Sequence, residues 1–358
     1  MAKRTNKHPE VPFTRVSMKE IARMTGFSAT TVSLVLNGRS KRFNISKETQ
    51  DLIRSVAKQH NYYPNLHARS LRSRTTNIVG LTVPTLNNPF FGEMAETFES
   101  LARSDKKLPL ITVTHYDPQE EIEMINYFLS QKVECVFTAN LTALSEVSDL
   151  CSRAGTRQIL LDSQESAKPT VTTDNVEAGL VLTRNLLASM AAAGRGGRAF
   201  YVGGMAAHAI TLHRLAGFKA ALRDRGLPFA DAQFVQTEFD SELAYRKLKA
   251  LLRSTQEVGG IFLNAVPALE GLVRLFPEMP ERCRRIPCAV FDYHPFMSLL
   301  ADLHLLIVRQ NPHQMMNRAY QIFSGPQPDE GRVHFIPYEL LLPPGTLPAS
   351  SHRGSVAG

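Results

Sequence analysis

The sequence predicts an N-terminal all-α headpiece of helix-turn-helix type with a hinge helix behind it, followed by a two-lobed α/β body built on parallel sheets. Three observations carry this. Capping signals and 3.6-residue apolar periodicity crowd into residues 17–60, strand-like apolar runs alternate with helical stretches from Ile78 onward, and charge divides between the two regions. Residues 1–76 hold 15 Lys plus Arg against 4 Asp plus Glu, whereas the rest of the 358-residue chain holds 26 against 29. The positive excess behind the formal net charge of +8 therefore sits entirely near the N-terminus. A module that neutralises phosphates beside one that does not has this electrostatic footprint.

Ser17 stands three residues before Glu20, a capping-box spacing, and starts a helix over Met18–Thr25 with Ile21, Ala22 and Met24 on its inner face. Gly26 supplies the left-handed turn that ends it, Phe27 enters the core, and Ser28 caps a second helix over Ala29–Leu36. Helices joined this tightly make a helix-turn-helix. In the second, Val32, Val35 and Leu36 pack inward, while Ala29, Thr30, Ser33 and Leu34 face outward, where a DNA major groove would meet them. Leu34 suits a thymine methyl, and Thr30 can donate or accept. A structural helical hairpin shares the spacing but not the charge. Arg39, Lys41 and Arg42 lie in the connection to a third helix, Ser46–His60, whose apolar side is Leu52, Ile53 and Val56. The three cations are placed for phosphates, as a solvated charge run would also be.

Pro64 holds Tyr63 extended and Asn65 caps a short segment through Arg72, whose Ala68 and Leu71 form an apolar edge flanked by Arg69, Arg72 and Arg74. A helix of about eight residues is marginal in water. The segment reads as a hinge that becomes helical when two copies meet on DNA, with Leu71 wedging a minor-groove base step. A basic interdomain linker is the same segment without the ordering.

Ile21-Ala22, Gly26, Ser28, Thr31-Val32-Ser33, Leu36-Asn37-Gly38 and Tyr63-Pro64-Asn65 with Ala68 and Leu71 resemble the lactose-repressor (LacI-type) family of bacterial regulators. The long connection from Gly38 to Ser46 is most similar to the fructose-repressor and sucrose-repressor branch of that family. The resemblance covers Ser17 to Tyr338. It implies operator DNA as partner, Ala29, Thr30 and Leu34 as base readers, and Leu71 as the intercalating residue. Ser28, Ser33, Asn37, Arg39, Lys41, Arg42, Tyr63, Asn65, Ala68 and Arg69 complete the expected DNA-contacting set. Residues 1–16 depart from the family and read as a disordered basic arm or a misplaced start.

In the body, strands Ile78–Val83, Leu110–Thr114 and Cys135–Ala139 alternate with helices Phe90–Ser104 and Glu120–Gln131. A second series follows Thr170, with helices Val176–Ala193, Ala209–Arg225 and Ser241–Ser254 and strands Ala199–Val202, Gln233–Gln236 and Gly260–Leu263. The break falls near Thr172-Thr173-Asp174. The expected division is a headpiece at 17–62, a hinge and linker at 63–76, an effector-binding and dimerisation body at 77–345, and a flexible tail at 346–358. The first lobe is expected near 77–173 plus 308–337, the second near 174–307 plus 338–345.

Doubly wound sheets bind ligands beyond the carboxyl ends of their strands. Asn88, Phe90, Asp162, Arg214 near the start of a helix, Asn264, Asp292 and Gln310 occupy such positions. Carboxylates, amides and an Arg around an aromatic platform suit a polyhydroxylated ligand or a phosphosugar, although each alone would also serve as a helix cap or an interlobe ion pair. The resemblance maps sugar-contacting residues onto Phe90, Arg214, Asn264, Asp292 and Gln310. It also marks a departure: the family usually places Arg after the Asp at 162, and Ser163 stands here. His294 is either a phosphate contact or a surface histidine. The body resembles periplasmic sugar-binding proteins, whose closure clamps a ligand between lobes. In a homodimer or tetramer, such closure would change the separation of two hinge segments and the grip on a palindromic operator.

Other classes fit less well. No apolar run approaches the roughly 18 residues that span a bilayer, so no membrane partner is expected. Residues 1–15 carry Lys3, Arg4 and Lys7 without the apolar stretch of a secretory signal, which places the chain in the cytoplasm, on the nucleoid. Cys135, Cys151, Cys283 and Cys288 lack zinc-ligand spacing and read as reduced thiols, with no metal and no cofactor. No nucleophile elbow, P-loop or GxGxxG appears, which argues against an enzyme. A regulator answering a non-sugar ligand such as a nucleobase, or a sugar-binding protein without a DNA role, remains the alternative.

Overall fold

Ser17 accepts the Glu20 amide at 3.3 Å while Glu20 accepts the Ser17 amide at 2.6 Å. This reciprocal cap starts α1 (Met18–Thr25), and Gly26 ends it at φ 73°. Ser28 caps α2 (Ala29–Leu36) by accepting from Thr31, and Ser46 caps α3 (Lys47–Gln59). A 3-10 turn over Ser40–Phe43 fills the connection. Ile21, Ala22, Val32, Val35 and Ile53 make the core, with Phe27, Leu36 and Val56 packed against it. Two residues expected inside are not: Met24 is 45 % and Leu52 48 % exposed. In each helix the inward stripe lies one residue away, on Ile21 with Thr25 and on Ile53 with Ala57, a rotation of about 100°.

The computed structural model describes residues 16–62, 76–163, 167–254, 257–325 and 331–343. These residues fall into two compact units, divided between Thr76 and Asn77. In the second unit, β1 (Ile78–Val83), α4 (Pro89–Ser104), β2 (Leu108–Val113), α5 (Pro118–Ser130), β3 (Cys135–Ala139), α6 (Leu144–Arg153), β4 (Arg157–Leu161) and β5 (Thr170–Thr172) form one alternating series. The next comprises α7 (Asn175–Ala192), β6 (Arg198–Val202), α8 (Ala209–Asp224), β7 (Phe234–Val235), α9 (Ser241–Ser254), β8 (Val258–Leu263), α10 (Val266–Leu275), α11 (Pro280–Arg285), β9 (Cys288–Phe291) and β10 (Leu306–Arg309). The chain closes with α12 (Pro312–Ser324), β11 (Val333–Phe335) and β12 (Glu339–Leu341).

Two six-stranded sheets result, ordered β11-β5-β4-β3-β1-β2 and β12-β10-β9-β8-β6-β7. Each winds outward in both directions from its first strand, the doubly wound arrangement. All pairings are parallel except β10 with β12. The exception to the expected parallel sheets has a geometric cause. β12 continues β11 across the lobe boundary with three residues between them, so it enters the second sheet from the carboxyl end and runs against β10. The chain passes between lobes at 173–174, 310–311 and 336–338. The middle crossing, expected before Val308, falls after Arg309 because β10 stays paired with β9 and β12.

Helices α7 and α8 cross with their backbones in close approach. A Cβ on Gly217 would lie 2.2 Å from the Val176 carbonyl oxygen and 2.5 Å from the Leu180 nitrogen, and one on Gly179 would lie 2.7 Å from the Arg214 carbonyl oxygen. These glycines let α8 seat Arg214 against α7. The four cysteines are buried and free of disulfides. Among the described residues no helix is long and apolar enough to cross a membrane.

Candidate functional site

In the headpiece, Ala29 and Thr30 are exposed on α2 and Ser33 and Leu34 half-buried beside them. Arg39, Lys41 and Arg42 are exposed around the 3-10 turn. Ser28 is occupied as a cap, and Asn37 folds back, donating from Nδ2 to the Ser33 carbonyl at 2.7 Å and to Ser33 Oγ at 3.2 Å. Both therefore shape the ends of α2. Tyr63, Asn65, Ala68, Arg69 and Leu71 lie outside the described residues.

In the body, strand ends of the two lobes meet. Asn140, directly after β3, donates to Asp162 Oδ2 at 3.0 Å. Arg214 donates from Nε to Asn175 Oδ1 at 2.8 Å and from Nη1 to the Asn264 carbonyl at 2.7 Å, with its guanidinium 3.6 Å over the Phe291 ring. Asn264 Oδ1 accepts from the Tyr201 hydroxyl at 2.5 Å, and Gln310 donates to Asp292 Oδ1 at 2.6 Å. Asp162, Arg214 and Asp292 are 1 %, 2 % and 4 % exposed. Burial pushes the Asp162 carboxyl up to about 6; Asp292 adds to the rise, while Arg214, Asn175 and Asn140 pull it down. Burial also raises Tyr116, helped by the Asp162 and Asp292 charges and opposed by Arg214, which places all three groups within electrostatic reach of its hydroxyl.

An aromatic clasp closes the cluster. The Tyr116 ring from the first lobe stacks on Phe239 of the second at 4.5 Å, and His208 meets Tyr116 and Phe239 edge-on at 6.0 and 5.4 Å. His115, Tyr116, Asn140, Asp162, Glu238, Phe239 and Asp292 all have positive φ, between 47° and 74°. Each such non-glycine residue costs on the order of 1–2 kcal/mol, and strain of this kind concentrates at functional sites.

Five of the seven expected ligand residues are thus brought together: Asp162, Arg214, Asn264, Asp292 and Gln310. Asn88 and Phe90 serve otherwise, Asn88 accepting the Phe90 amide at 3.1 Å to cap α4 and Phe90 packing edge-on against Phe91 in the first-lobe core. His294 is committed locally, since its Nδ1 accepts from the Phe296 amide at 3.2 Å.

Residues 17–65 match the bacterial regulatory proteins of the lacI family, and residues 79–296 match the periplasmic binding protein domain. The chain is 32 % identical over 243 residues to the ribitol operon repressor of Klebsiella aerogenes, covering 65 % of this chain and 90 % of that one. It belongs to the LacI family. It is also 28 % identical over 312 residues to the sucrose operon repressor of Klebsiella pneumoniae, covering 87 % and 92 %. The lac repressor dimer bound to operator and the anti-inducer ONPF superposes with a TM-score of 0.73 at 17 % identity, over 92 % of this chain and 98 % of that one, a likeness of fold. This LacI-family chain is a DNA-binding transcription regulator, not an enzyme.

Tyr116, Asn140, Asn175, Tyr201, His208 and Phe239 were not among the expected site residues. The strand-end rule, carried to every strand, reaches Tyr116 after β2, Asn140 after β3 and Phe239 after β7. It also reaches Asn175 after β5 and His208 after β6, whereas Tyr201 lies within β6 and leaves no such signal.

Asp162 makes the LacI-family body sensitive to pH. Its carboxyl titrates near 6 when folded and near the ordinary 3.8 when unfolded. Its contribution to stability is therefore complete below pH 4 and lost as pH rises through 6. The loss is on the order of 3 kcal/mol, since a shift of one unit is about 1.4 kcal/mol. Denaturant melts of wild type and Asp162→Asn at stepped pH should show the variant gaining on wild type between pH 4 and 6. A constant difference would place the titration elsewhere.

Proposed function

We propose that this regulator is a dimeric repressor of carbohydrate-related genes. It reads a palindromic operator, and a sugar or sugar-phosphate effector held between its lobes sets its operator affinity. The carrying observation is the buried Asp162–Arg214–Asp292 group, supplied by both lobes. A ligand bonding to all three favours the closed arrangement by its differential affinity for it. Asn264 and Gln310 hold further ligand groups, while Asn88 and Phe90 fix the start of α4 as its cap and its core. Residues 17–62 form the reader, with Ala29, Thr30, Ser33 and Leu34 toward base edges and Arg39, Lys41 and Arg42 toward phosphates. Residues 63–76 form the hinge, with Leu71 its wedge, and 77–345 the effector-binding and dimerising body. Closure of the lobes in a dimer changes the spacing of the two hinges and so their pairing on the operator. The relatives' names, repressors of ribitol and sucrose operons, and the dimeric lac repressor support this reading. The regulator would work in the cytoplasm, at the chromosome.

Selection of binding sites from random duplex DNA, followed by footprinting, tests it. Two inverted half-sites are expected. Affinity should fall by roughly 10³ or more between 50 and 200 mM salt, as 6–10 phosphate contacts require. A single unrepeated half-site would remove the dimer geometry, and an affinity indifferent to salt would remove the reading surface.

A further inference from the structure

Resting on the effector reading above, we infer that the ligand is a neutral polyhydroxylated molecule, an unphosphorylated polyol or sugar, and that Asn140 and His208 join its recognition. Around Arg214 the buried atoms without a protein partner include Asn140 Oδ1, Asp162 Oδ1, Gln310 Oε1, Asn264 Nδ2 and a ring nitrogen of His208. None of these residues is more than 6 % exposed. They come from both lobes, at or just beyond the ends of β3, β4, β6, β8 and β10. Leaving a buried polar atom unpaired costs about 1–3 kcal/mol. So many at one strand-end cluster mark groups that a bound molecule satisfies.

The chemistry of the set selects among ligands. Three of the atoms only accept and one only donates. Burial pushes His208 down to about 4, so its ring is neutral, and with its N–H toward the Asn140 backbone it offers an acceptor. The ligand must both donate and accept hydrogen bonds. A hydroxyl does both. An ionised phosphate only accepts, and here it would face the carboxylates of Asp162 and Asp292. The described cluster sets a single cation, Arg214, against those two carboxylates, and with Nε and Nη1 on Asn175 and Asn264 it keeps Nη2 for a ligand. Ser163 beside Asp162 adds a hydroxyl, not a charge. An ammonium only donates and would leave Asn264 Nδ2 unpaired. Several hydroxyls on a carbon skeleton satisfy the whole set, with the skeleton against Tyr116 and Phe239.

Calorimetric titration of the full-length regulator tests this. The ligands are ribitol, sorbitol, fructose and sucrose, with ribitol 5-phosphate, sorbitol 6-phosphate, fructose 1-phosphate, sucrose 6-phosphate, adenine and hypoxanthine in parallel. At least one neutral compound is expected to bind at least tenfold more tightly than its own phosphate. Asn140→Ala and His208→Phe are each expected to weaken it at least tenfold, and variants that keep the parent affinity overturn the assignment of those residues. A phosphate that binds more tightly than its parent overturns the neutral-ligand inference while the sugar-effector reading stands. Silence from every neutral compound overturns it as well, and a response from the nucleobases alone removes the sugar-effector reading too.

Discussion

Arg214→Ala is expected to leave a regulator whose operator binding no longer responds to its effector. In wild type, a ligand at 100 times its dissociation constant raises stability by about 2.7 kcal/mol; in the variant this gain should vanish. The guanidinium joins Asn175 to the Asn264 backbone, lies flat on Phe291, and is the cation facing Asp162 and Asp292. Its removal takes a nearby positive charge from the buried Asp162 and breaks two buried hydrogen bonds, each worth about 1.5–3 kcal/mol for a charged donor. Arg214→Lys separates charge from shape: it keeps the cation but loses the planar fork and the stack on Phe291. It should recover much of the stability and little of the ligand response. Thermal melts with and without effector read both quantities. A ligand-induced shift that survives in Arg214→Ala would take this residue out of the site.

Gly217→Ala should produce a large loss of stability for a single methyl group. The added carbon would fall against the Val176 carbonyl and the Leu180 nitrogen, backbone atoms that cannot rotate away. Helices α7 and α8 would have to separate. Overpacking typically costs about 1–3 kcal/mol, and a clash with backbone belongs at or above the upper end. At roughly 2–4 °C per kcal/mol for a domain of this size, the midpoint should drop by about 6–12 °C. Gly196→Ala is the control, because a Cβ there meets nothing within 4 Å. It should melt with wild type or slightly above it, owing to the reduced freedom of the unfolded chain. Two variants melting together would mean the helices are not in that contact.

Much of this architecture is legible in the sequence because its signals are local. Ser17 and Glu20 sit three residues apart and cap one another; Gly26 ends a helix by its own backbone freedom; Ile78–Val83 and Cys135–Ala139 are continuous apolar runs of the kind that parallel strands require. Asp162, Arg214, Asn264, Asp292 and Gln310 can be found because they follow strands or begin helices. What lies beyond local reading depends on distance in sequence. Tyr116 and Phe239 are separated by 122 intervening residues, yet their rings stack; nothing near either announces the other. Met24 and Leu52 satisfy apolar periodicity but miss the core by one helical step, a rotation set by how three short helices fit together. Phe90 and Asn88 occupy a strand end, as ligand residues do, and there the same position serves a cap and a core.

The three lobe crossings lie side by side. β5 neighbours β11 in one sheet, β10 neighbours β12 in the other, and the connecting segments run between these adjacent pairs. A joint of three parallel straps at one edge resists twist and shear and leaves a single angular coordinate. Motion confined to one coordinate discards every detail of the occupant except how far it lets the jaws shut. If closure sets operator affinity as proposed, a body so jointed passes one scalar to the DNA, and selectivity among ligands falls to the unpaired atoms at the strand ends.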